Sequence, residues 1–139
     1  MKTLFTASMT SEFGGREGKA TSPDGSLSLD MSMPASLGGT GKGTNPEELF
    51  AAGYSACFAN AALLIAKQQK LELGDIPVTA EVSLNMLDNG GYGLGVTLTA
   101  RVNLPQQEAE ALIAKAHEIC PYSNAVRGNI DVAIQVVGQ

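Results

Sequence analysis

The eighteen residues from Leu49 to Ala66, LFAAGYSACFANAALLIA, contain no charged side chain. A run of this length touches the lower limit for a membrane-spanning helix. Its composition points elsewhere: alanine dominates, and Gly53, Ser55 and Asn60 interrupt the large aliphatic residues. The run therefore reads as the long central helix of a folded core, buried on most of its sides. Small side chains let a second backbone come close, which predicts helix packed against helix. Asn45 is placed to cap the helix and Pro46 to open it, and the helix is expected to run to about Lys70.

At 139 residues the chain is expected to form one domain, 1–139. Its nine Lys and Arg are scattered singly within a net charge of −5, which argues against a nucleic-acid partner and against docking on a membrane. The N-terminal MKTLFTASMTSEFGG lacks a continuous apolar stretch and a cleavage pattern, so a cytoplasmic location is expected. Two cysteines make no disulfide framework, and in that compartment a structural bridge is not expected, whereas a transient one is.

Flanking the helix, the pattern has period two. Leu4, Thr6 and Ser8 alternate with Phe5, Ala7 and Met9. Pro23, Asp24 and Gly25 then make a turn before Leu27, Leu29, Met31 and Met33, which predicts an antiparallel meander. The glycine-rich PASLGGTGKGTNPEE reads as a flexible connection. Beyond the helix, Val78 to Leu84 and Val96 to Val102 alternate around LDNGGYG as a hairpin. Ala109, Leu112, Ile113, Ala116 and Ile119 predict a one-sided helix that stops before Pro121, followed by a polar turn, and Ile130 to Val136 a last strand. The expected class is α+β, antiparallel sheets with a long central Ala-rich helix and a second amphipathic helix.

The motif GGTGKG fails as a phosphate loop, because Ser36 and Gly43 stand where that pattern needs Gly and Ser or Thr. His117, the chain's one histidine, makes no metal site alone and is expected to be a solvated helix residue. Cys57 lies mid-helix among small residues, where a cysteine is commonly only a small hydrophobe. Three features favour a working thiol. Cys120 stands at a helix end beside a proline, where it can move as thiol exchange requires. Arg16 is framed by glycines in GGREG, and Glu47 opens the long helix. An arginine held by a carboxylate and aimed at a thiol lowers its pKa. Phe50, Tyr54, Phe58 and Met86 are candidate walls of an apolar substrate entrance.

TNPEELFAAGYSACF, CPYSNAVRGNIDV and FGGREG together resemble the organic hydroperoxide resistance proteins, the peroxidase branch of the OsmC-like family. The resemblance runs from the first strand to the last, with CPYSNA favouring the peroxide-resistance branch; Val126 departs from the threonine expected after SNA. It implies a thiol peroxidase with no bound cofactor or metal, in which Cys57 is the peroxidatic cysteine, Cys120 the resolving one, and Arg16 and Glu47 the activating pair. It also implies an intertwined homodimer acting on alkyl or fatty-acid hydroperoxides, reduced by an external dithiol on a lipoylated protein. Ten positions separate Glu47 from Cys57, about 15 Å along one regular helix. Completion of each site in trans across a dimer is therefore expected, unless the helix breaks between Pro46 and Leu49. The alternative is a non-enzymatic dimeric ligand-binding module with inert packing cysteines.

Overall fold

The computed structural model describes all 139 residues, which divide into two compact units, Met1–Leu49 and Phe50–Gln139. In the first, β1 (Thr10–Glu12), β2 (Lys19–Thr21) and β3 (Ser28–Asp30) form an antiparallel sheet in that order. The predicted turn joins β2 to β3: Asp24 accepts hydrogen bonds from Ser22 Oγ at 2.8 Å and from the Ser26 N–H at 3.0 Å, and Gly25 takes a φ of 73°. The meander begins later than its alternation suggests. Residues 1–9 join no strand, and Leu4 and Phe5 are 86% and 83% exposed. Alternation supplies a face but no neighbour, and a strand needs one for its backbone groups.

The glycine-rich connection is tied down rather than flexible. Met31 bridges Thr44, the Gly41 N–H donates to Met33 O at 3.0 Å, and the Gly43 N–H donates to the buried Ser32 Oγ at 2.7 Å. A Cβ at Gly43 would sit 2.4 Å from Asp30 O, so glycine is there for close backbone approach. The segment ends as predicted. Asn45 Oδ1 accepts the Glu48 N–H at 2.8 Å while Glu48 Oε1 reaches back to Asn45 Nδ2 at 3.2 Å, and α1 (Pro46–Gln68) starts on proline.

In the second unit α1 buries a stripe, Tyr54, Phe58, Ala61, Ala62, Ile65 and Ala66. By length and composition α1 passes for a membrane span, but that stripe lies in the hydrophobic core. Burial on most sides is not what the chain shows: Leu49, Leu63 and Leu64 are exposed. The hairpin of β4 (Val78–Met86) and β5 (Tyr92–Arg101) is in place, closed by the Gly90 N–H on Leu87 O at 3.0 Å. The helix α2 (Gln106–Ile119) buries Ala109, Leu112, Ile113 and Ala116, while Ile119 is exposed. What read as a polar turn is a short helix, α3 (Pro121–Val126). The last strand, β6 (Val132–Val137), runs parallel to β5 and not antiparallel, so the sheet β4-β5-β6 is mixed. A crossover through two helices carries the chain from the end of the sheet where β5 finishes back to the end where β5 begins, which a tight turn cannot do.

Leu112 is 1% exposed. Leu112→Ala should lower the unfolding free energy by about 3 kcal/mol, the scale of a leucine deleted from a packed core, read as a lower urea midpoint; an unmoved midpoint would mean α2 is not docked there.

Candidate active site

Two constellations carry chemistry, one in each unit. In the first, Arg16 sits on a 3-10 turn, Gly15–Glu17, where Gly14 and Gly15 take φ of 116° and 58°. Those left-handed residues fold the turn so that the guanidinium grips Glu47 at both oxygens, Nη1 to Oε2 at 2.8 Å and Nη2 to Oε1 at 2.7 Å. This forked geometry is the strongest form of an arginine–carboxylate pair. The hydrogen bonds from Arg16 hold the Glu47 carboxyl below its ordinary range against the opposing effect of burial. A depressed carboxylate pKa means the pair is intact at neutral pH and lost only as pH falls through the lowered value.

In the second unit, Cys57 on α1 is half-buried and Cys120, between α2 and α3, is fully buried; both are free. Cys120 has φ −65° and ψ 123°. Pro121 disfavours helical backbone at the residue before it, so the helix breaks at the cysteine and restarts on the proline. The break turns Cys120 Sγ to within 3.6 Å of Cys57 Sγ, 63 positions away in sequence. Burial pushes the Cys57 thiol above the ordinary cysteine range, the Tyr122 backbone N–H pulls it down, and the neighbouring Cys120 pushes it up.

Around the sulfurs lies an aromatic cluster. Phe50, Tyr54 and Phe58 recur every four residues and so share one face of α1. Tyr122 packs against Phe50 and Tyr54 with ring centroids 5.8 and 5.7 Å apart. Gly53 makes room for it, since a Cβ there would lie 2.5 Å from the Tyr122 hydroxyl. Beneath the rings the Tyr54 hydroxyl meets Ser123 Oγ at 2.8 Å, and Ser123 Oγ meets His117 Nδ1 at 2.8 Å. His117 is thus half-buried and bonded, not solvated. Burial lowers its pKa, and the positive charge of Arg127 lowers it further. No group of three or more His, Cys, Asp or Glu side chains is gathered to hold a metal ion.

The family profile described as OsmC-like protein matches residues 39–135. The organic hydroperoxide resistance protein of Xanthomonas axonopodis pv. citri is 48% identical over 136 residues, covering 96% of this chain and 94% of that protein. Organic hydroperoxide resistance protein OhrA of Bacillus subtilis is 49% identical, with 96% of each chain covered. Among solved structures, an organic hydroperoxide resistance protein from Legionella pneumophila superposes with a TM-score of 0.92 at 52% identity, covering 98% of this chain and 99% of that one. One from Elizabethkingia anophelis gives 0.94 at 46% identity over the whole of both chains. The chain belongs to the organic hydroperoxide resistance branch of the OsmC-like family.

The fold of this branch gathers some of the sequence-predicted residues and leaves one aside. Arg16 pairs with Glu47, and Cys57 faces Cys120. Of the expected entrance walls, Tyr54 and Phe58 are fully buried, so within one chain they present core rather than open surface. Phe50 is half-buried on the rim of the cluster. Met86 stands 76% exposed at the end of β4 opposite Tyr92 and does not pack against the core. Sequence reasoning passed over Tyr122, Ser123 and Arg127. Their signal lay in CPYSNAVRG itself: a proline directly after the cysteine can open a helix, which carries Tyr122 and Ser123 toward α1 and Arg127 back to the end of α2.

Exposure orders the two thiols. Limited alkylation of the native protein should label Cys57 first and leave Cys120 protected until unfolding, read by peptide mass; equal labelling would mean the α2–α3 junction opens freely.

Proposed function

We propose that the chain is a thiol peroxidase that detoxifies organic hydroperoxides. The observation that carries this is the 3.6 Å approach of two free thiols far apart in sequence, in a chain whose relatives are named for hydroperoxide resistance. The Cys57 thiolate attacks the distal oxygen of an alkyl or fatty-acid hydroperoxide. A sulfur–oxygen bond forms, the peroxide bond breaks, and the alkoxide takes up a proton and leaves as an alcohol. The resulting Cys57 sulfenic acid condenses with Cys120, which forms the Cys57–Cys120 disulfide and releases water. An external dithiol, carried by a lipoylated protein, exchanges with that disulfide and regenerates both thiols.

Burial alone holds the Cys57 thiol in its protonated form at neutral pH, so the cycle needs a cation near the sulfur. Arg16, fixed by Glu47, is the residue we assign to that task. A homodimer is the assembly we propose, cytoplasmic and without nucleic-acid or membrane partners. Its support is apolar surface: Leu4, Phe5 and Phe13 at the N-terminus, and the exposed Leu63 and Leu64 of α1. Because α1 is unbroken from Pro46 to Gln68, Glu47 is not folded back along its own helix, which favours completion of each site in trans. A ligand-binding module with inert cysteines gains no support from two thiols in reach of one another.

Intact mass and free-thiol count, before and after one equivalent of cumene hydroperoxide, test the peroxidase. The reduced protein should lose two thiols and two mass units and recover both with dihydrolipoamide. Cys57→Ser should abolish peroxide consumption, and Cys120→Ser should stop at the sulfenic acid after one turnover. Consumption by Cys57→Ser, or none by the wild type, would sink the proposal.

Mixing Cys57→Ser with Glu47→Ala, each inactive alone, tests the trans arrangement. Subunit exchange should restore about half of the wild-type dimer's activity per heterodimer, since one of its two sites is then whole. No recovery after verified exchange would assign Glu47 and Cys57 to one chain's site.

A further inference from the structure

The buried chain Tyr54–Ser123–His117 takes no part in the cycle as proposed, yet Ser123 stands on the turn that starts at Cys120. Tyr54 and Ser123 are both 0% exposed. The tyrosine hydroxyl feels the charge of both cysteines, and burial first, then the cysteines, raises its pKa. Ser123 sits three residues after Cys120 on α3, whose turn closes with the Asn124 N–H on Cys120 O at 2.9 Å. The outer end is open to protons: His117 lines a cavity of about 440 Å³ with Glu110, Glu118, Ile134 and Val136. Ser123 thus links the turn bearing Cys120 both to α1 and to a titratable ring at a cavity wall.

The proton count along the chain fixes its direction. A serine hydroxyl has one hydrogen, and neutral imidazole with its proton on Nε2 offers Nδ1 as an acceptor. Every hydrogen is then used once, with Tyr54 donating to Ser123 and Ser123 donating to His117. Protonated imidazole carries a hydrogen on Nδ1, so the order reverses: His117 donates to Ser123, and Ser123 to the Tyr54 oxygen. The tyrosine hydrogen then loses its acceptor in a fully buried place, an unpaired donor that weakens the link holding the Cys120 turn to α1.

Resting on the assignment of Cys120 as the resolving cysteine, we propose that His117 is a positioning residue for resolution: neutral, it holds Ser123 and the Cys120 turn set for attack on the Cys57 sulfenic acid, and protonated it slows that attack. The charged and titratable groups around His117 bear on when this happens. On its own helix Glu110 and Glu118 share the cavity. At the end of α3 the Arg127 guanidinium donates to the His117 carbonyl at 2.5 Å. From α1 Phe58 packs on the ring with centroids 6.4 Å apart and Tyr54 lies next to Phe58, while β6 contributes Ile134 and Val136. Burial and Arg127 both oppose the imidazolium. The slow state is therefore confined to pH below the ordinary histidine range.

The test follows disulfide formation in the reduced, full-length protein after one equivalent of cumene hydroperoxide, quenched in time, with dimedone trapping unresolved sulfenic acid. His117→Asn keeps an acceptor near the place of Nδ1 but cannot titrate. The ratio of its resolution rate to that of the wild type should rise as pH falls below about 6.5, and taking the ratio cancels titrations that both proteins share. Ser123→Ala should resolve about tenfold more slowly than the wild type where His117 is neutral, the scale of one buried hydroxyl left unpaired, with trapped sulfenic acid rising in step. Where Ser123→Ala fails to fold, His117→Asn decides, because it retains the bond. A flat ratio across pH beside normal wild-type disulfide formation overturns the role of His117 alone. No disulfide in the wild type overturns the peroxidase itself, and this role with it.

Discussion

The close packing of α3 on α1 is the constraint on which the thiol pair depends. Two sulfurs on separate helices meet only where backbones come nearer than large side chains allow, and here Gly53 clears the space that the Tyr122 ring enters. Pro121 supplies the other half by ending α2 at Cys120 and opening α3 in a new direction. Neither residue is chemically active. A methyl group at position 53 would push Tyr122 off the helix, and with it the backbone N–H that bonds Cys57 Sγ. Reactivity at Cys57 is thus set partly by a packing contact on the preceding turn of its own helix.

Electrostatics divides between the units. In Phe50–Gln139 everything that acts on Cys57 through burial favours the thiol, and the one opposing influence is a backbone dipole. In Met1–Leu49 a guanidinium is held by a carboxylate at two points, with the arginine side chain still 37% exposed and the glutamate 16%. The carboxylate cancels much of the positive charge at a distance but fixes its direction, and a directed cation acts strongly on a sulfur it touches and weakly elsewhere. In the proposed cycle burial shields the sulfenic acid from bulk solvent, and a cation at the sulfur is needed to offset what burial costs the thiolate.

The sequence was most legible where a rule is local. Asn45 and Pro46 start α1 because capping and proline chemistry act within one turn, and the α2 face of Ala109, Leu112, Ile113 and Ala116 follows from a helical period that tertiary packing respects. Asp24 and Gly25 make their turn for the same reason. Misreadings arose where a partner outside the segment decides the outcome. Leu4 to Met9 alternate, yet these residues join no strand. The glycine-rich segment suggested mobility, whereas Gly39 and Gly43 serve close backbone approaches to Met33 and Asp30 that no local pattern records. The direction of β6 was hidden behind a six-residue helix that its composition disguised as a turn. At the site, the cysteines, Arg16 and Glu47 were legible from residue chemistry and the resemblance of their motifs, while His117 and Ser123 were not, because a hydrogen bond between i and i+6 arises only once Pro121 has bent the chain.

The same bend explains why buried polar groups sit so near the sulfurs at tolerable cost. Ser123 and Tyr54 are fully enclosed, and an unpaired hydroxyl there would be destabilising by about 1–3 kcal/mol. Each is satisfied by the other, and the open end of the pair is closed by His117. An apolar substitute would pack as well, but it would hold α3 only by shape. A hydrogen-bonded hydroxyl fixes α3 in register against α1 within a few tenths of an ångström, because the bond weakens steeply with distance and angle. Thiol exchange needs that precision: an attacking sulfur must approach along the axis of the bond it breaks. Beside rings that meet only by van der Waals contact, a short polar chain is the directional element, and in the proposed cycle it is what holds Cys120 on line.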